Sequence, residues 1–227
     1  MSRPVLVLCP MRIERDHVAR ALRRAGDQQT RLVQTGIGKH AIIATLEREA
    51  AGPAFATGTL FVLAGAAGGL AHAVDDAPPI VRVIDTHGRS WTPASPVAPD
   101  GPGVTLVGVD HIVEGPADKH ALHARTGAAV VDMESHAFAE FCDGLGLPWC
   151  IVRGVSDTPD QTLPARVLSW IDPAGNTRSA RAAIDLLLNP SLVPHIVGVV
   201  RRSNRVLPRV GQRVATIASA WRAATHP

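Results

Sequence analysis

Three acids in this chain stand where apolar runs of strand length come to an end. Glu14 follows the run 4–9 by way of Met11-Arg12-Ile13, Glu134 follows 128–131 within Asp132-Met133-Glu134-Ser135, and Asp157 follows 149–155 within Ser156-Asp157-Thr158-Pro159-Asp160. A carboxyl group so placed can protonate a leaving group or activate water. Two glycine clusters close two further runs, Gly36-Ile37-Gly38-Lys39 and Gly65-Ala66-Ala67-Gly68-Gly69. Glycine lets backbone N–H groups come close to an anion or a sugar. If the runs are strands of one parallel sheet, all five segments gather at its carboxyl edge, where such sheets bind ligands.

Each residue taken singly also has a local explanation. Asp132 suits the N-cap of a helix over 133–145, and Glu14 and Glu134 suit the first turns of helices, where an acid is worth roughly 0.3–1 kcal/mol against the dipole. Asp157 can cap a turn beside Pro159, and 65–69 can be a tight turn. Gly36-x-Gly38-x-x-Ala41 has the form of a dinucleotide fingerprint, but the following strand ends in Ala64-Gly65 without the ribose-binding acid, which excludes NAD. His120 and His123 lie one helical turn apart with no third ligand in the motif, so no metal site is legible. What the local explanations leave over is the convergence of all these residues on one edge.

The elements that must position them alternate. Strand-like runs at 4–9, 30–35, 59–64, 80–84, 104–109, 128–131 and 149–155 are interleaved with helix-periodic segments at 13–25, 39–51, 117–126, 133–145 and 176–188. Several runs are apolar throughout, as when helices cover both faces of a sheet. The expectation is an α/β fold: a single-domain three-layer α/β/α sandwich with a mixed, largely parallel central sheet. The segment 88–103 holds Pro93, Pro96, Pro99 and Pro102 and reads as an irregular excursion.

With 227 residues, 46% of them hydrophobic, the chain can bury a substantial core and is not disordered. Three cysteines without a CxxC pair exclude a disulfide scaffold and a zinc ribbon. The first run is too short for a secretory signal and no stretch reaches a membrane span, so a cytoplasmic protein is expected. From Pro190 onward there are six arginines and no acid, which against a total of +3 leaves the preceding residues at −3. Aromatics make up 4% and tyrosine is absent, so there is little to stack bases on and nucleic acid is excluded as a partner. In the tail, Val206, Val210, Val214, Ile217 and Trp221 line one helical face beside Arg202, Arg205, Arg209 and Arg213. That face either packs on the body or meets a membrane surface. Pro208 predicts a broken helix or two short ones.

The residues Val131-Asp132-Met133-Glu134-Ser135 followed by Val152-Arg153-Gly154-Val155-Ser156-Asp157, with the two glycine clusters and Met11-Arg12-Ile13-Glu14 in the same order, resemble the purine nucleoside phosphorylase and methylthioadenosine/adenosylhomocysteine nucleosidase superfamily. Within it, 126–135 and the basic extension look most like the hopanoid-associated phosphorylases, which implies release of adenine from adenosylhopane. The resemblance implies a nucleoside phosphorylase-like domain over 1–189, with 190–227 a basic amphipathic extension whose residues 192–222 could touch the membrane periphery. A small-molecule or lipid-linked nucleoside would be the ligand, and a homo-oligomer the assembly.

By the same resemblance, Asp157 would protonate the departing purine and Ser156 would orient it. Glu134 would hold the ribose hydroxyls with Met133 beneath the sugar, and His111 or Ile112 would stack on the base. Glu14 would position or deprotonate a nucleophilic water. Gly36, Gly38, Gly65, Ala66 and Gly68 would form the phosphate- or water-binding loops. No cofactor is implied, with inorganic phosphate a co-substrate if the protein is a phosphorylase. Two departures from the pattern leave phosphorolysis and hydrolysis both open. Ala66 stands where many relatives carry a hydroxyl, and no arginine precedes that loop, so either Arg12, Lys39, Arg82 or Arg89 substitutes or the glycine loops themselves bind phosphate through their N–H groups. A soluble methylthioadenosine or adenosylhomocysteine nucleosidase and a non-catalytic nucleoside-binding module are the alternatives.

Overall fold

The computed structural model describes residues 3–50, 52, 58–72, 74–99 and 101–224. Its centre is strand β1 (Val5–Cys9), whose side chains are all buried because both faces are covered. Leu6 and Leu8 enter one core, Val5, Val7 and Cys9 the other. The alternation follows from the period-2 geometry of a strand. Strand β3 (Leu60–Gly69) repeats it, with Phe61 and Leu63 on the first side and Leu60, Val62 and Ala64 on the second.

Helix α1 (Arg12–Arg24), strand β2 (Arg31–Gln34) and helix α2 (Lys39–Ala50) complete the first units. After β3 come β4 (Ile80–Ile84), β5 (Ser90–Trp91), β6 (Val104–Gly108), α3 (Pro116–Thr126), β7 (Val130–Asp132), α4 (Ser135–Gly144) and β8 (Trp149–Asp157). Two helices follow, α5 (Ser179–Leu188) and α6 (Val193–Ala223). The sheet order is β2-β1-β3-β7-β6-β4-β5, with β8 also paired to β3. Pairs β1–β2, β1–β3, β3–β8, β4–β6 and β6–β7 are parallel, while β3–β7 and β4–β5 are antiparallel. Side chains of α2 and α4 fill one core, those of α1 and α6 the other, so the mixed, largely parallel sandwich is observed.

Two local expectations are corrected. Residues 65–69 are not a loop: β3 continues through them, Gly65 pairing with Arg153 and Gly68 with both Val131 and Asp157. Helix α6 is not broken at Pro208 but runs through it. Val206, Leu207 and Val210 around the proline are buried. At roughly 1.5–3 kcal/mol apiece their burial outweighs the ~3 kcal/mol that an interior proline costs.

The apolar stripe of α6 packs inward. Val210, Val214, Ile217, Ala218 and Trp221 belong to the second core, and the β8 backbone is approached so closely that a Cβ on Gly154 would lie 2.8 Å from Val206. The arginines beside the stripe are held by the body: Arg202 donates to the Val155 carbonyl, Arg205 and Arg209 pair with Asp76, and Arg222 pairs with Asp27. Large apolar side chains left exposed in this region are Ile184, Leu187, Leu188, Val193, Val197 and Val200. Among the described residues, no single helix is long and apolar enough to cross a membrane.

Candidate active site

A cavity of about 240 Å³ opens at the carboxyl ends of β1, β3, β7 and β8, and Glu14, Glu134 and Asp157 all line it. Glu14 sits in the first turn of α1, where its Oε2 accepts from the Met11 N–H at 2.8 Å. Its Oε1 reaches across to accept from the Ala66 N–H at 2.7 Å. This crossing explains the glycine at position 65, where a Cβ would stand 2.6 Å from Glu14 Oε1 and 2.7 Å from Arg153 Nη1. A side chain there would push the acid out of place.

Glu134 is held from two sides. Oε1 accepts from the Gly38 N–H at 2.7 Å and Oε2 from Arg153 Nη2 at 2.9 Å. Its neighbour Asp132 accepts the Ser135 N–H at 3.0 Å, but the expected N-cap is corrected: α4 begins at Ser135 rather than 133, so the N-cap is Glu134, whose side chain makes no cap hydrogen bond. Asp132 also binds Arg153, with Nε at 2.8 Å and Nη2 at 2.6 Å. Arg153 is therefore a fully buried hub for Asp132 and Glu134.

Asp157 arrives through a bulge. Ala67 pairs with Val155 and Gly68 with Asp157, so Ser156 is the extra residue. Bulges turn side chains at sites of this kind. The Ser156 hydroxyl bridges the Ala67 carbonyl and Asp157 Oδ1, at 3.1 and 3.2 Å. The other carboxylate oxygen is in direct contact with Lys119 Nζ, on α3. Lys119 is 1% exposed and also donates to the carbonyls of Thr158 and Gln161, at 3.0 and 2.8 Å. Three acceptors thus saturate the three N–H bonds of the ammonium.

Burial disfavours the charged form of each acid. It raises the Glu14 carboxyl above the usual range against the opposing field of Arg153. It pushes Glu134 up to about 7, again against Arg153 and with Asp132 adding to the rise. Asp157 is likewise raised by burial, and the Lys119 ammonium works the other way.

Of the residues singled out in the sequence, Met133, Ser156, His111, Ile112, Ala66 and Gly68 also line the cavity. Gly36, Gly38 and Gly65 stand outside the lining; Gly38 and Ala66 give their N–H groups to carboxylates. Lys39 pairs with Asp110, Arg12 with Asp16, and Arg89 with Asp85 and Glu140. Lys119 is the single lysine or arginine among the described lining residues. Sequence reasoning missed Lys119 altogether and gave Arg153 no role. The signal for the first is faint: in Pro116-Ala117-Asp118-Lys119, the lysine looks like any charge on a surface helix. For Arg153 the signal was stronger, a charge within an otherwise apolar central strand.

Residues 88–188 match the Phosphorylase superfamily. No curated protein matches the chain in sequence. Among solved structures, it is similar to a 5′-methylthioadenosine/S-adenosyl homocysteine nucleosidase of Helicobacter pylori, at 14% identity with 97% of both chains covered and a TM-score of 0.62. Futalosine hydrolase of the same organism gives the same identity, coverage and score. A nucleosidase from Colwellia psychrerythraea, solved with adenine, gives 14% identity, a TM-score of 0.68, and coverage of 100% of this chain and 99% of its own. The family match covers 88–188, and the fold over the described chain is that of the nucleoside phosphorylases and nucleosidases.

Proposed function

We propose that this protein is an enzyme that cleaves the N-glycosidic bond of an adenine nucleoside, with water as the nucleophile. The observation that carries this reading is the placement of two kinds of carboxyl group around one cavity, Asp157 with its ammonium partner and Glu14 with Glu134 around Arg153. As the bond from the sugar carbon to the purine nitrogen breaks, its electron pair passes to the purine. Asp157 donates a proton to the ring nitrogen that becomes basic, aided by a carboxyl raised through burial. Glu134 accepts from the ribose hydroxyls, and its charge favours the positive charge growing on the sugar. Water adds to that carbon and gives its proton to Glu14.

Hydrolysis is preferred to phosphorolysis because the donors a phosphate needs are already engaged. The Gly38 and Ala66 N–H groups bind carboxylates, and the cations proposed as substitutes are paired elsewhere or lie outside the cavity. A phosphate dianion would also meet Glu14 and Glu134. The test is adenine release from nucleosides with and without inorganic phosphate. Release independent of phosphate, lowered roughly 10²–10⁴-fold in Glu14→Gln, is expected; strict phosphate dependence overturns the choice of water. A binding module would take up nucleoside and release nothing.

For the 5′ substituent we propose a lipid, with adenosylhopane the substrate. Leu163, Val167, Leu168, Ile171 and Val199 give the cavity an apolar wall, and exposed Val197 and Val200 share a helix with Val199. Membrane contact then belongs to the exposed apolar side chains of α5 and the first turns of α6, since the later stripe is core. Adenine release from adenosylhopane well above that from methylthioadenosine, and vesicle binding lost in a Leu187→Ser, Leu188→Ser double variant, are expected. Preference for methylthioadenosine would select the soluble nucleosidase instead.

A further inference from the structure

We infer that His72, His120 and Asp160 form a surface site for a divalent transition-metal ion of the zinc class. His72 lies in the segment after β3, His120 on α3 and Asp160 in the segment after β8. The aspartate stands between the rings: one carboxylate oxygen is 3.5 Å from His72 Nδ1 and the other 3.4 Å from His120 Nε2. All three ligand atoms lie within 4.8 Å of one another. With metal–ligand bonds of about 2.0–2.1 Å, two ligands of a tetrahedral ion are about 3.3 Å apart, and each imidazole nitrogen already stands near that distance from one of the two carboxylate oxygens. The two rings are 6.3 Å apart between centroids. Closing the remaining gap needs only side-chain rotation, which half-exposed or better residues have free.

Two imidazoles and one carboxylate select zinc or nickel over magnesium or calcium, which prefer oxygen ligands throughout. His123, one turn beyond His120, is outside the set because its Nδ1 is 2.7 Å from the Ala128 carbonyl. The ion would tie α3 to the segment after β8. Those two segments also meet through Lys119 and the carbonyls of Thr158 and Gln161, so the clamp lies directly outside the buried pair.

The test is calorimetric titration of the full chain with zinc chloride, and with magnesium chloride as the contrasting ion. His72→Ala, His120→Ala and Asp160→Ala follow, each checked for an unchanged melting temperature without metal. Saturable zinc uptake is expected, weakened at least about tenfold in every variant, since even an outer partner of a metal ligand is worth that much. Magnesium should give no saturable heat. Absence of saturable zinc binding, uptake unchanged in all three variants, or a loss confined to one histidine variant would each overturn the three-donor site.

Discussion

On one wall of the cavity, Asp132 and Glu134 share one guanidinium with Glu14 close by; on the other, Asp157 has an ammonium to itself. All the partners are almost wholly buried, so the difference lies in the charge count and not in solvation. Burial holds Glu134 up to about 7 against Arg153, with Asp132 and Glu14 adding to the rise, and three acids against one cation suit a sugar that becomes positive. On the other wall burial raises the Asp157 carboxyl against the Lys119 ammonium, so that this acid can hold the proton needed by a base that leaves carrying an extra electron pair. A negative wall beside the sugar and a proton-donating wall beside the base are what a bond polarised between sugar and purine requires.

The largest effect should come from breaking the proton-donating wall. Asp157→Asn keeps the shape and removes the proton, and kcat for adenine release should fall roughly 10²–10⁴-fold while circular dichroism is unchanged. Next comes the hub of the crowded wall. Arg153→Met leaves Asp132 and Glu134 buried without their cation, and losing one partner of a buried ion pair costs roughly 3–5 kcal/mol. Urea denaturation measures it. An equal loss in Lys119→Met would show that the two walls do not differ in the way their charge counts suggest.

How far the sequence speaks for these two walls differs in the same way. Val5–Cys9 and the other apolar runs announce strands covered on both faces, and the acids beyond them fall at the edge where they are found. Strand ends were harder to place. Residues 65–69 read as a turn because glycine usually marks one, yet here it makes room in a strand for Glu14 and Arg153. Ser156 and Asp157 lie inside β8, and the bulge that turns them is set by pairing with β3, far away in the chain. Lys119 is illegible for the same reason: its partners Asp157, Thr158 and Gln161 come from another segment. Pro208 argued locally for a break, and burial on either side of it decided otherwise.

A smaller effect sharpens the contrast through pH. In Lys119→Met the influence that lowers the Asp157 pKa is removed while the burial that raises it remains. The carboxyl then keeps its proton to higher pH, and the alkaline limb of the kcat profile should move upward. A limb that stays in place would separate Lys119 from the acid. Glu134→Gln offers the complementary reading on the other wall, in stability. The folded Glu134 carboxyl, at about 7, binds its proton more tightly than the ordinary 4.5 of the unfolded chain. Its contribution to stability is therefore fully present below about 4.5 and is lost as pH rises to about 7, because the folded state alone holds the proton across that window. Denaturant midpoints of the native protein should fall between pH 5 and 8, and the fall should be shallower in Glu134→Gln, which has no proton to lose. An identical fall in both would place the titration on Glu14 or Asp157, and the crowded wall would then not be where the excess charge is felt.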